Sequence, residues 1–500
     1  MSRRRRNTLN DAAEVEENLI CNDCVGEQYL SAEIRKSGKE LTCSYCEETG
    51  PCIAIGDLAE HVESAVGEHY QLTSDQPDFW EEMLMRDPEE SYHWDREGQD
   101  VEELIQEIAD VSEDIAKDIQ LILDERTGPY DSSDMHEEGP FSDTAKYDLR
   151  GPDSSYWDEG WKRFSKAIRT ETRFFNRHAG QLLEEVFGNI AQYRARDGQP
   201  LVVDGGPDTA FVAFFRARVF QANEPSEQVL MRPDLELGPP PSGQGRAGRM
   251  NPQGVSVFYG ALSGDTAVRE VRPPVGSVVV TARFDVIRPI KLLNFDALSH
   301  VRIDGGSYFD PAYARRLGWA HFLRTLKDQM VRPVMPESEH TDYLETQAVA
   351  DFLASSENPA LDGILFPSVQ SGAGAGQMNV VLFQKASKVA SLDLPKGTKI
   401  QASTGSWSED GWETRYEVRE EVPPPDAPPP MATGRSSIFD APLWPEDGAD
   451  IEAFDDRVET LKISTDTVQV HRIGTIQVSY TSETVHRDRR VARPDEQSDF

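Results

Sequence analysis

Two Cys-x-x-Cys knuckles, Cys21 with Cys24 and Cys43 with Cys46, restrict this chain more than any other feature. Each turn presents two thiolates on one side. Two such turns close a tetrahedron around Zn²⁺ with Zn–S distances of about 2.3 Å. Four thiolates leave no open coordination position, so the expected zinc is structural rather than catalytic. A redox dithiol needs only one such pair. The fifth cysteine, Cys52, is then spare and is expected to pack as a small hydrophobe. All five cysteines fall between positions 21 and 52. A disulfide framework would spread them through the fold, so the clustering points to metal binding in a reducing cytoplasm.

The 500 residues are enough for two to four domains, and the net charge of −37 bounds the partners. Nucleic-acid affinity comes mostly from Lys and Arg neutralising phosphates, so a nucleic-acid partner is not expected. A local basic pocket for a small anion remains compatible with the charge. The Arg3–Arg6 run reads as a solvated tail. No apolar stretch reaches the roughly 18–20 residues that span a bilayer, and no signal peptide opens the chain. A cytoplasmic protein without a membrane partner is expected.

Along the chain, residues 1–52 read as the zinc ribbon and 53–200 as a helical region. The stripe Val101, Leu104, Ile105, Ile108, Val111, Ile115, Ile119, Ile122 keeps helical spacing. Residues 127–155, rich in Gly, Pro, Ser, Asp and Glu, read as a loop. A second long helix is expected over 156–194, burying Trp157, Trp161, Phe164, Ile168, Phe175, Leu182, Leu183, Val186 and Phe187. Short strands then appear at 210–220, 255–260, 277–284, 362–367 and 378–384. They are mixed with helices near 311–330 and 341–356, within a domain spanning 201–395. This mixture without a βαβ rhythm is α+β. Residues 396–460 read as a linker with the Pro-rich stretch 421–430. Residues 461–500 read as a β-rich extension, either a small meander or a strand returning to the main sheet, ending in a disordered tail.

Four segments of the 201–395 domain carry more than scaffold. In the first, Arg216 and Arg218 interrupt an apolar strand, and strand alternation points them the same way. Burying guanidinium groups is costly unless they meet an anion, either an internal carboxylate or a ligand phosphate. The second, from Gly248 through Arg249 to Tyr259, joins glycines, an arginine and an aromatic, a combination that suits a nucleotide edge but also an ordinary turn. The third reads as a short capped helix ending in Glu270, which follows small and apolar residues and so can face inward. The fourth runs from Asp362 to Ser368, through the Gly-rich 371–376 segment, to Asn379. Without a nucleophile elbow or a His/Asp pair, Ser368 is not read as a nucleophile.

Taken together and in order, the FRAR strand, the GRMNPQG…FYGA segment, the TAVREV segment and DGILFPS…NVVLF resemble the RES domain family over roughly residues 208–385. The ribbon and helices resemble the HEPN-like region attached to some members. The resemblance implies an ADP-ribosyltransferase-like fold and NAD⁺ consumption, by hydrolysis or phosphorolysis of the nicotinamide–ribose bond. It matches the family's arginine, glutamate and serine to Arg216, with Arg218 the other choice, Glu270 and Ser368. It also implies a toxin-like role with an antitoxin-like protein inhibitor as a possible partner, although this chain is far longer than the compact toxins. On this reading Glu270 stabilises the ribosyl cation and Arg216, helped by Arg218 or Arg249, holds the pyrophosphate. Ser368 bonds the ribose or orients Glu270, Tyr259 stacks on a ring, and Asn379 holds a loop or the ribose. Three other readings stand beside it: ADP-ribosylation of a protein, ribonuclease action by the Arg173-x4-His178 pair, and NAD binding without catalysis.

Overall fold

The computed structural model describes residues 12–86, 92–128, 139–221, 227–332, 334–335, 337–370, 377–409, 411–424, 455, 457–477 and 481–487. The Arg3–Arg6 run, the Gly-rich 371–376 segment, most of the Pro-rich stretch and the final residues lie outside them. The chain divides into two compact units. One comprises Met1–Val203, Gly248–Met250 and Leu292–Leu361; the other comprises Asp204–Ala247, Asn251–Lys291 and Asp362–Phe500.

The first unit begins with the ribbon. Strands β1 (Leu19–Cys21), β2 (Lys39–Thr42) and β3 (Thr49–Ala54) form an antiparallel sheet with β3 in the middle, and Cys21 lies opposite Cys52. Helix α1 (Gln28–Ser37) fills the gap after the first knuckle, its N-terminus capped by the Glu27 carboxylate. Ile20, Val25, Leu30 and Ile34 of this region pack in one core with Leu58 and Val62 of α2 (Ile55–His69). The expected 101–122 stripe joins that core too, but as two helices, α3 (Val101–Ala109) and α4 (Glu113–Thr127), separated at the left-handed Asp110 (φ 50°). Asp is one of the few residues that take this conformation readily, which ends a helix without losing the apolar stripe.

Two expectations need correction here. Residues 127–155 are not loop throughout: β4 (Tyr70–Leu72), β5 (Gln99–Asp100) and β6 (Lys146–Leu149) form a small sheet with β6 central. The 156–194 run is two helices, α5 (Ser155–Thr170) and α6 (Arg177–Phe187). Phe175 sits exposed between them at positive φ (59°) instead of in the core. The Asn176 side chain accepts the Ala179 amide at 3.1 Å and starts a new helix, a local bond that outcompetes continuation of the old one. The expected later helices appear as Pro311–Val331 and Leu344–Ser355. No helix among the described residues is long and apolar enough to cross a membrane.

The second unit is built on an antiparallel sheet. Its strands are β7 (Ala213–Phe220), β8 (Phe258–Ala261), β9 (Val278–Val286), β10 (Gly363–Pro367), β11 (Met378–Leu382), β12 (Val389–Ala390) and β15 (Leu461–Arg472), in the order β12-β15-β9-β7-β8-β11-β10. Among these seven strands, only the β12–β15 pairing is parallel. Helix α7 (Gly264–Glu270) follows β8, with the Ser263 hydroxyl capping the Thr266 amide. Of the two alternatives for the C-terminal segment, the returning strand is the one adopted: β15 pairs with β9 from Val286↔Leu461 to Val278↔Arg472. The 396–460 segment, expected as linker, instead opens with a long hairpin of β13 (Lys399–Ser408) and β14 (Gly411–Glu421). Alternation there is masked by charged residues on both faces, so the period-2 signal is weak.

Candidate functional site

The two knuckles converge. The four sulfur atoms of Cys21, Cys24, Cys43 and Cys46 all lie within 4.8 Å of one another. Cys21 Sγ is 3.6 Å from Cys46 Sγ, and Cys24 Sγ is 3.8 Å from Cys43 Sγ. A tetrahedron with bonds of about 2.3 Å has sulfur–sulfur edges of about 3.8 Å, so the donor set fits a four-thiolate metal ion. Burial raises the thiol of Cys24. Burial also raises Cys43, but backbone hydrogen bonds involving Cys46, Tyr45 and Cys21 outweigh it and bring that thiol down to about 7. One of them is the Tyr45 amide donating to Cys43 Sγ at 3.4 Å. Cys52 stays apart from the set, buried, its thiol against the Leu41 carbonyl.

A second centre lies in the sheet of the second unit. Strands β7 and β8 are paired at one register position, Ala261↔Phe215, whereas β8 and β11 pair along their length. At this fork lies a cleft of about 290 Å³, lined by Phe215, Arg216, Ala217, Tyr259, Gly260, Ala261, Ala267, Glu270, Val271, Phe366 and Asn379. The register makes one row of it across four strands: Phe215 opposite Ala261, Ala261 opposite Asn379, Asn379 opposite Phe366. Alternation sets Arg216 on the other parity from Phe215 and Ala217, and the fork lets both parities border the cleft. Helix α7 closes it with Ala267, Glu270 and Val271, residues spaced to share one helix face.

Several of the expected residues meet here. Glu270 is half-buried, and its Oε1 accepts the Ser368 hydroxyl at 2.5 Å. Ser368 is buried and does not line the cleft, so its geometry is that of a group behind Glu270. Arg216 is held over the Phe258 ring, 5.2 Å from its centroid, and its buried Nη1 has no hydrogen-bond partner. Burial, and then the neighbouring Arg218, lower its pKa to about 10, which leaves it a cation at neutral pH. Tyr259 donates its hydroxyl to Asn251 Oδ1 at 2.8 Å. Asn379 is buried and its Oδ1 also lacks a partner.

Other expected residues are engaged elsewhere. Arg218 finds the internal carboxylate that the sequence left open: its Nη1 meets Glu236 Oε2 at 2.7 Å and the Glu236 carbonyl at 2.8 Å. Arg249 belongs to the first unit, where it donates to the Met330 carbonyl at 2.9 Å and lies over the Tyr343 ring. Arg173 and His178 are both exposed, and the Arg173 Nε donates to the Ile168 carbonyl.

Sequence reasoning missed Asn251 and Gly260. The Asn251 amide donates to the Arg246 and Val255 carbonyls while accepting Tyr259, so it ties the glycine-rich segment to the cleft wall. A Cβ at Gly260 would come within 2.7 Å of the Phe258 ring and 3.1 Å of the Phe215 carbonyl. Both residues stand in the quoted motif segments, but turn-forming Asn and Gly are too common for their type alone to signal such roles.

Comparison with known families returns two matches. Residues 218–403 match the RES domain model, and residues 36–181 match the model of HEPN/RES N-terminal domain 1. The first span contains Tyr259, Glu270, Ser368 and Asn379 and starts two residues after Arg216. No curated protein and no solved structure matches the chain.

Proposed function

We propose that this chain, which carries a RES domain behind a HEPN/RES N-terminal domain, consumes NAD⁺ by breaking its nicotinamide–ribose bond. The observation that carries the reading is one cleft lined by both a carboxylate braced from behind, Glu270, and a half-buried cation, Arg216, whose buried Nη1 has an unmet hydrogen-bond donor. The leaving base takes the electron pair of the C1′–N bond and departs neutral, so positive charge develops on the ribose. The Glu270 carboxylate stabilises that charge, with one oxygen fixed by Ser368 and the other free. Arg216 meets a pyrophosphate oxygen, satisfying its open donor and holding the dinucleotide in place. Tyr259, anchored through Asn251, supplies a fixed ring wall. Arg218, already paired with Glu236, takes no part, and neither does Arg249.

Water, phosphate or a protein side chain completes the reaction at C1′. Incubating the purified chain with NAD⁺, with and without phosphate, separates these outcomes by product mass. Nicotinamide with ADP-ribose means hydrolysis, nicotinamide with ADP-ribose 1″-phosphate means phosphorolysis, and a mass gain on protein means transfer. Unchanged NAD⁺ under all conditions overturns the proposal. At the four cysteines the fitting ion is Zn²⁺ in a structural role. A cytoplasmic setting and an antitoxin-like inhibitor accompany the reading as family-level expectations.

A further inference from the structure

We infer that Asn379 reads the carboxamide of the departing base, so that the cleft takes nicotinamide dinucleotides and rejects their nicotinic-acid (deamido) counterparts. The inference rests on the NAD⁺ reading above. Three observations carry it. Asn379 is the one polar side chain in the row Phe215–Ala261–Asn379–Phe366, so the row pairs two aromatic rings and a small methyl with a single amide. That floor suits a flat heteroaromatic ring bearing one polar substituent. Asn379 is 5% exposed and its Oδ1 has no hydrogen-bond partner, and a buried acceptor left open costs free energy until a donor arrives. The same cleft carries Glu270. If that carboxylate flanks the scissile bond, the ring in the adjoining row is the leaving base and not the adenine.

A carboxamide offers Oδ1 an N–H donor. A carboxylate offers only acceptor oxygens, and it adds negative charge to a cleft that already holds Glu270. Sites built to hydrogen-bond a substrate group discriminate strongly against analogues that lack it, because the buried partner is left unpaired.

The test compares NAD⁺ with nicotinic acid adenine dinucleotide on the full chain. The wild-type protein should favour NAD⁺ by at least about 100-fold in kcat/KM. Asn379→Leu, which keeps the volume and removes the acceptor, should cut NAD⁺ cleavage far more than deamido cleavage and bring the ratio close to one. A merely structural role would lower both rates together and hold the ratio, which would overturn the inference. Should the variant fail to fold, wild-type product inhibition decides: nicotinamide should inhibit and nicotinate should not. Equal wild-type rates on the two dinucleotides, or equal inhibition by the two bases, sink the assignment of Asn379 while leaving the NAD⁺ reading intact. A protein that neither binds nor cleaves either dinucleotide sinks the NAD⁺ reading and this inference with it.

Discussion

The cysteine cluster and the sheet cleft are opposite kinds of site. The cluster is local: two short turns, each carrying a complete pair of ligands, meet with sulfur–sulfur separations of 3.6 and 3.8 Å. The cleft is assembled from β7, β8, β10, β11 and α7, residues 215 to 379, and no single segment holds more than one or two of its polar groups. The first site is specified by spacing along the chain, the second by strand register. The difference teaches that a metal set can be read with little reference to the fold, whereas an ion-lined cleft depends on which strands pair and where they part.

The sharpest way to break this contrast is to remove the metal. A structural zinc contributes about 10–16 kcal/mol of apparent binding free energy, so a strong chelator or Cys43→Ser should unfold the ribbon, seen as lost ellipticity and a lower Tm. Elemental analysis of protein purified without chelator should find one zinc per chain; its absence would remove the site. The next effect is at the cleft. Glu270→Gln keeps shape and removes charge, and should cost about 3 kcal/mol, roughly 100-fold in kcat, while NAD⁺ binding measured by calorimetry survives. Wild-type turnover in this variant would defeat the assignment.

Arg216→Met sharpens the comparison differently, because it should weaken function and strengthen the fold. Loss of one charge-assisted contact should raise the NAD⁺ Kd by about 10- to 100-fold, a cost of roughly 1.5–3 kcal/mol. The sign of the stability effect follows from the pKa. With the folded value at about 10, below the ordinary arginine range, the unfolded chain holds the proton more tightly. Stability therefore falls as pH drops toward 10, and the full cost is present at neutral pH. Arg216→Met should accordingly raise Tm, and a lower Tm would show that the contact of the guanidinium with the Phe258 ring outweighs the cost of its burial. Ser368→Ala, which frees Glu270 without removing it, should lower kcat by about tenfold, in line with a lost hydrogen bond to a charged group. The smallest effect is expected at the helix pair: His178→Ala should leave NAD⁺ turnover unchanged and reveal no RNA cleavage in the wild-type control.

Much of this molecule was legible before folding. The knuckles, the buried stripe from Val101 to Ile122, the strands around Arg216, Tyr259 and Asn379, and the short capped helix ending at Glu270 all follow from spacing, periodicity and capping chemistry. Less legible were features where a local competitor intervened, such as the Asn176 cap that left Phe175 exposed, or where charge hid alternation, as in the hairpin from Lys399 to Glu421.

By itself, then, the sequence determined what each segment can be, because helix caps, strand periods and ligand spacings are set by covalent neighbours. Only the tertiary structure decided that Arg218 meets Glu236 while Arg216 keeps an open donor, that Ser368 braces Glu270 from behind, and that Asn379 stands between Ala261 and Phe366. Those outcomes depend on residues as distant in sequence as Glu270 and Ser368, 98 positions apart, being brought together by the fold, and register is fixed by the whole buried face of the sheet, not by any one strand.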